Sequence, residues 1–115
     1  MDQWEEKIDD FNELISSAHS TEYTRVHRET MLLFDLYIDN YKEHLPAPDT
    51  ICPSSSGDIQ FGWTIGDVSI FANFGIRCVE ISAWLRTKAV YFFQVQHDDF
   101  VDHMNTVFFV DLELM

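Results

Sequence analysis

The sequence predicts an α+β fold in which two N-terminal helices pack on an antiparallel β-meander of four to five strands, all in a single domain spanning residues 1–115. Three observations point there. Apolar residues recur at helical spacing as far as Leu45, prolines punctuate the chain from Pro46 to Pro53, and a strict two-residue alternation takes over at Ile59. At 115 residues the chain has the size of one domain, and its 46% hydrophobic content supplies enough apolar surface to offset chain entropy, which sets global disorder aside.

Residues 1–45 form the helical half. Trp4, Ile8, Phe11 and Ile15 follow one another at spacings of four, three and four, with Leu14 broadening the stripe, and predict a first helix over residues 3–17. Asp2 and Glu5 resemble a capping box at its start, and residues 16–21 read as a turn and a new N-cap. Val26, Leu33, Phe34, Tyr37, Ile38, Tyr41 and Leu45 fall on a second stripe, and Pro46 forbids its continuation, so the second helix is expected over residues 22–44. Residues 46–57, with three prolines and a serine run, read as an irregular connector.

Residues 58–115 form the sheet half. Ile59, Phe61, Trp63 and Ile65 alternate with polar or small residues, Gly66-Asp67 suits a two-residue hairpin loop, and Val68, Ile70, Ala72 and Phe74 resume the alternation. A turn is expected at residues 73–75, a third strand over 76–85 and a fourth over 89–96 after Arg86-Thr87-Lys88. The tail reads as a short helix near 98–104 followed by a strand near 106–114, because its last part is rich in β-branched and aromatic residues.

Twenty acidic against seven basic side chains give a net charge of −13, a field that repels nucleic acid and anionic membranes and favours basic protein partners. The charge is uneven. Residues 1–45 hold eleven acids and four bases, residues 58–96 three of each, and the tail from His97 five acids with no Lys or Arg. Cys52 and Cys78 fall short of a disulfide framework, so a reducing compartment is expected. The opening Met1-Asp2-Gln3-Trp4-Glu5-Glu6 lacks the basic start and apolar core of a signal peptide, and no apolar run approaches membrane-spanning length. The expectation is a cytoplasmic protein without membrane association.

Motifs for chemistry are sparse. Gly57, Gly62, Gly66 and Gly75 match neither a phosphate-binding loop nor a dinucleotide fingerprint, and Ser54, Ser55 and Ser56 lack the glycine flanks of a nucleophile elbow. Cys78 reads as a small apolar filler within a strand rather than a catalytic thiol. The segment His97-Asp98-Asp99-Phe100-Val101-Asp102-His103 is the one candidate for a metal-dependent enzyme, with Asp99 and His103 a helical turn apart. It fits no structural zinc spacing, and acids at a helix start are ordinary dipole chemistry. The chain is therefore not read as an enzyme, and no catalytic residue, metal or cofactor is assigned to it.

Two surfaces remain. On the first helix Glu5, Glu6, Asp9, Asp10 and Glu13 project away from the apolar stripe with Lys7 as the sole base, so like charges repel at helical spacing. With Asp98, Asp99 and Asp102 of the tail they form the candidate partner-binding set. The alternative is an aromatic sheet face of Phe71, Trp84 and Phe92, which lie opposite the main alternation. From sequence this face is either covered by the first helix and the tail or open to another chain.

The run Pro53-Ser54-Ser55-Ser56-Gly57-Asp58-Ile59-Gln60-Phe61-Gly62-Trp63-Thr64-Ile65-Gly66-Asp67 resembles a pattern in small uncharacterised bacterial proteins associated with mobile elements, where a Pro-x-x-x-Gly loop leads into a Trp-bearing strand and a Gly-Asp hairpin. The resemblance covers about half of the chain and transfers no catalytic residue. It implies an accessory, antitoxin-like or phage-defence role and a helical tail, whereas this tail leans towards a strand. In size, acidity and lack of catalytic motif the chain is also similar in character to phage-encoded anti-CRISPR inhibitors.

The leading expectation is a small acidic inhibitor of a basic, nucleic-acid-handling protein, acting as a DNA mimic without itself touching nucleic acid. An antitoxin or immunity protein binding through the aromatic face is the alternative, followed by the metal-dependent enzyme centred on His97 to His103. A dimeric structural protein is the fourth class.

Overall fold

A computed structural model describes residues 3–17, 26–54 and 56–108. In chain order they form α1 (Gln3–Ser17), α2 (Arg28–His44), β1 (Thr50–Pro53), β2 (Ile59–Ile65), β3 (Val68–Phe74), β4 (Val79–Leu85), β5 (Lys88–Val95), a 3-10 turn (His97–Asp99) and α3 (Phe100–Thr106). The five strands make one antiparallel sheet in the order β1-β2-β3-β4-β5, so each strand lies beside its neighbour in sequence. This is the α+β meander that the alternating pattern predicts.

The sheet buries one face only. Ile59, Phe61 and Trp63 of β2, Ile70, Ala72 and Phe74 of β3, and Val79, Ile81 and Ala83 of β4 are all buried, and period-two alternation puts them on the same side. Phe61 is the hub of that side. Its ring lies 6.2 Å from Trp4 of α1, 6.2 Å from Phe34 of α2 and 6.4 Å from Phe100 of α3. All three helices therefore cover one face, and the reading in which α1 and the tail cover the opposite face is corrected. The reason lies in the stripes of α1 and α2, which pack edge to edge, with Phe11 5.7 Å from Phe34. Buried polar groups fix the layer: Trp4 Nε1 donates to the Leu45 carbonyl at 2.8 Å, and Tyr41 Oη to the His97 carbonyl at 3.0 Å.

Several boundaries differ from the sequence reading. The helix expected over residues 22–44 is described from Arg28: residues 26 and 27 lie outside it, because the His27 N–H donates to the Gly57 carbonyl at 2.9 Å and holds His27 extended. Val26 thus packs on the core from outside the helix. The connector is not wholly irregular: residues 50–53 form β1, in register with β2 from Thr50 opposite Gly62 to Pro53 opposite Ile59. As an edge strand β1 tolerates a terminal proline. The turn expected at 73–75 falls at 75–78, where the Gly75 N–H donates to the Cys78 carbonyl at 3.1 Å, so β4 starts at Val79 and Cys78 lies in the turn before it.

The Gly66-Asp67 hairpin has the expected length, and Gly66 adopts φ +61 as the first residue of such a loop requires. In the tail, residues 106–108 continue α3 in helical turns instead of opening a strand, since Val107 is fully buried and Phe108 packs 5.5 Å from Trp63. The Asp2 cap, the turn at 18–21, residues 22–25 of the expected second helix and residues 109–114 of the expected tail strand lie outside the described residues.

Candidate protein-binding surfaces

The helical layer carries the acid. Glu5, Glu6, Asp9, Asp10 and Glu13 are all exposed on α1, on the side away from buried Trp4 and Phe11. Glu5 meets Lys42 of α2 at 3.5 Å; Glu6, Asp9, Asp10 and Glu13 have no ion-pair partner among the described residues. Glu29, Asp35, Asp39 and Glu43 extend the exposed acid along α2, and Asp98, Asp99 and Asp102 carry it onto the 3-10 turn and α3. Asp98 lies near the Tyr37 hydroxyl of α2. The hydrogen bond to this carboxylate, followed by burial and the charge of Asp98, pushes the Tyr37 hydroxyl above its ordinary pKa.

The sequence reading passed over two neighbours of that acid. Leu32 and Leu36 of α2 are 61% and 71% exposed, a helical turn apart and interleaved with Asp35 and Asp39. Their signal was legible, because both fall off the apolar stripe of the helix.

The outer face of the sheet is nearly neutral and aromatic. Phe71 of β3 is the register partner of Gly62 and of Ser82, and Ser82 is in turn the partner of Phe92 on β5. Trp84 of β4 stands two residues from Ser82 on the same face, opposite Ser69. Phe71 is half-buried, while Trp84 and Phe92 are 37% and 63% exposed. The three residues singled out from sequence thus share one face, and none of the described helices covers it.

One end of this face opens into a hollow of about 690 Å³, lined by His27, Asp58, Asn73, Arg77, Cys78, Glu80 and Gln94 among others. Asp58 is held in place, accepting from Asn73 Nδ2 at 3.0 Å and Ser56 Oγ at 3.3 Å. Asn73 Oδ1 is buried without a partner among the described residues.

The two histidines of the segment weighed as a metal candidate serve separate partners. His97 is buried, its Nε2 lies 2.6 Å from the Gly75 carbonyl, and its ring stacks 5.5 Å from Tyr37. His103 Nε2 lies 2.6 Å from Tyr91 Oη of β5. Among the described residues no three His, Cys, Asp or Glu side chains are grouped to hold a metal ion. Burial pushes the Cys52 thiol up, away from the thiolate a nucleophile needs.

No helix among the described residues is long and apolar enough to cross a membrane. Comparison with protein families, curated proteins and solved structures gave no match for this chain.

Proposed function

We propose that this protein is a non-enzymatic inhibitor that offers the carboxylates of its helical layer to a basic, nucleic-acid-handling protein, occupying the groove where phosphates would lie. The observation that carries this reading is the unneutralised row on α1. Glu6, Asp9, Asp10 and Glu13 are exposed, repel one another at helical spacing and have no cation of their own among the described residues. A groove lined by Lys and Arg would relieve that repulsion and release its bound counterions, as phosphates do. The two-sidedness of the molecule adds support, because concentrating charge on one layer gives a directed field that steers a basic partner towards the helices.

The test is affinity capture from the source cell, comparing the unaltered chain with a Glu6→Lys, Asp10→Lys, Glu13→Lys variant. The reading expects basic partners that are captured by the first and lost from the second. Equal capture by both removes it.

The outer sheet face favours a second reading, that of an antitoxin or immunity protein gripping its target through Phe71, Trp84 and Phe92. Exposed aromatic side chains clustered on one face are the usual anchors of protein contacts. In that case Phe71→Ser or Trp84→Ser abolishes capture and reversing the acids does not.

A further inference from the structure

Leu36 is the most exposed large apolar side chain among the described residues, and Leu32, one helical turn back, is more than half exposed. Both belong to a stripe of α2 that points away from the core. Glu29, Leu32, Leu36, Asp39 and Glu43 succeed one another at spacings of three, four, three and four, and all are exposed, while Thr30, Phe34, Ile38 and Tyr41 are buried on the opposite side. This is the spacing of a helix-pairing seam in which only the two adjacent leucine positions are apolar. Asp35 flanks the seam between the leucines. Glu29, Asp35 and Asp39 have no ion-pair partner among the described residues. Of the two bases of α2, Lys42 is taken by Glu5 at 3.5 Å and Arg28 stands at the first residue. A single exposed leucine needs no explanation, but two on one stripe, bracketed along it by unneutralised acids, have the form of a helix anchor.

We propose, building on the reading of the helical layer as the surface that meets a basic protein, that this stripe receives a basic amphipathic helix of the partner. The apolar side chains of that helix would cover Leu32 and Leu36, and its Lys or Arg side chains would meet Glu29, Asp35, Asp39 and Glu43. Charge selects the occupant. A second copy of this chain would set acids against the acids and leucines of an identical stripe, and two molecules each carrying −13 repel. A neutral or acidic helix would cover the leucines but leave the carboxylates beside them without counter-charge. A groove lined for phosphates alone offers the leucines nothing. Only a partner that is basic and apolar on one face answers both features of the stripe.

Isothermal titration with two synthetic helices tests this. One carries leucines at heptad spacing among lysines, and the other has alanine in place of each leucine at the same length and charge. At about 100 mM salt the unaltered chain should bind the leucine helix at least about tenfold more tightly than the alanine helix, because only the former buries Leu32 and Leu36. A Leu32→Gln, Leu36→Gln variant, which keeps good helix formers at both positions, should bind the two helices alike. Equal binding of both helices by the unaltered chain overturns the inference and leaves the charge-based function standing. Binding of neither overturns that function as well. A preference that survives the glutamine pair places the apolar contact elsewhere and also overturns the inference. Urea denaturation of the same variant should give an unchanged midpoint; a lowered one means that the chain itself covers the leucines, which refutes the docking. A dimer of the unaltered chain in sedimentation equilibrium that the glutamine pair dissolves would give the seam to a second copy, with the same consequence.

Discussion

Phe71 and Phe92 stand on one row across the outer face of the sheet, with Ser82 between them as register partner of both. Their position contrasts with that of Phe61 and Phe74, which are fully buried on the opposite face. Replacing Phe92 with Ser should change stability by no more than about 0.5 kcal/mol, since an exposed side chain loses little burial. Phe61→Ala should cost about 3–5 kcal/mol, because its ring joins all three helices to the sheet. Urea denaturation of the two variants measures both, and a comparable cost for each would mean that the outer face is packed.

The acidic row of α1 should hold stability below what the helix could reach. Asp10 faces Glu6 one turn back and Glu13 one turn on, with Lys7 three residues back, so Asp10→Lys converts two repulsions into attractions and one attraction into a repulsion, each worth about 0.2–0.5 kcal/mol, for a small net gain. The expected outcome is a higher Tm together with weaker capture of the basic partner. A variant that loses stability, or that gains it without losing capture, speaks against the proposed use of this row.

Stability should fall in alkali. Burial, then the neighbouring Tyr37 and Asp98, push the Tyr41 hydroxyl far above its ordinary value of 10.0. Above about pH 10 the unfolded chain releases a proton that the folded chain keeps, so the unfolded state binds fewer protons and stability declines as pH rises. The contribution is fully present below that pH and lost progressively above it. Tyr41→Phe leaves the buried His97 carbonyl without its donor and should cost about 1 kcal/mol at neutral pH. Its decline between about pH 9 and about pH 11 should nonetheless be shallower than that of the unaltered chain. Urea titrations across that window test this, and parallel declines contradict it.

Gly57 carries a backbone demand that no other residue meets. It adopts φ +88, and a Cβ there would collide with the His27 ring, which its own carbonyl helps to place. Gly57→Ala should therefore cost about 1–3 kcal/mol and loosen the start of α2. Thermal denaturation reads the cost, and hydrogen exchange at residues 27–31 reads the loosening.

Much of the architecture was legible because periodicity reports burial directly. The stripes of α1 and α2 and the alternation of β2 and β3 are one-sided, and the structure buries those sides. What failed depends on partners distant in sequence. His27 is kept out of α2 by the Gly57 carbonyl, and β1 forms because Ile51 finds Phe61, neither of which a local reading of proline content can show. Residues 106–108 have strand propensity, yet burial of Val107 and the contact of Phe108 with Trp63 keep them helical. Of the two candidate surfaces, Phe71, Trp84 and Phe92 share a face because strand parity demands it. Leu32 and Leu36 are legible as leucines off the apolar stripe of α2, and the packed layer leaves both exposed.

The central claim is that the helical layer stands in for phosphates, and displacement by DNA tests it most directly. A basic partner held by the immobilised protein should be released by added duplex DNA and by salt raised from about 100 mM to about 500 mM, as charge-dominated contacts are. A partner that stays bound through both, and leaves only when Phe71 and Trp84 are replaced, would contradict the account and transfer the function to the sheet.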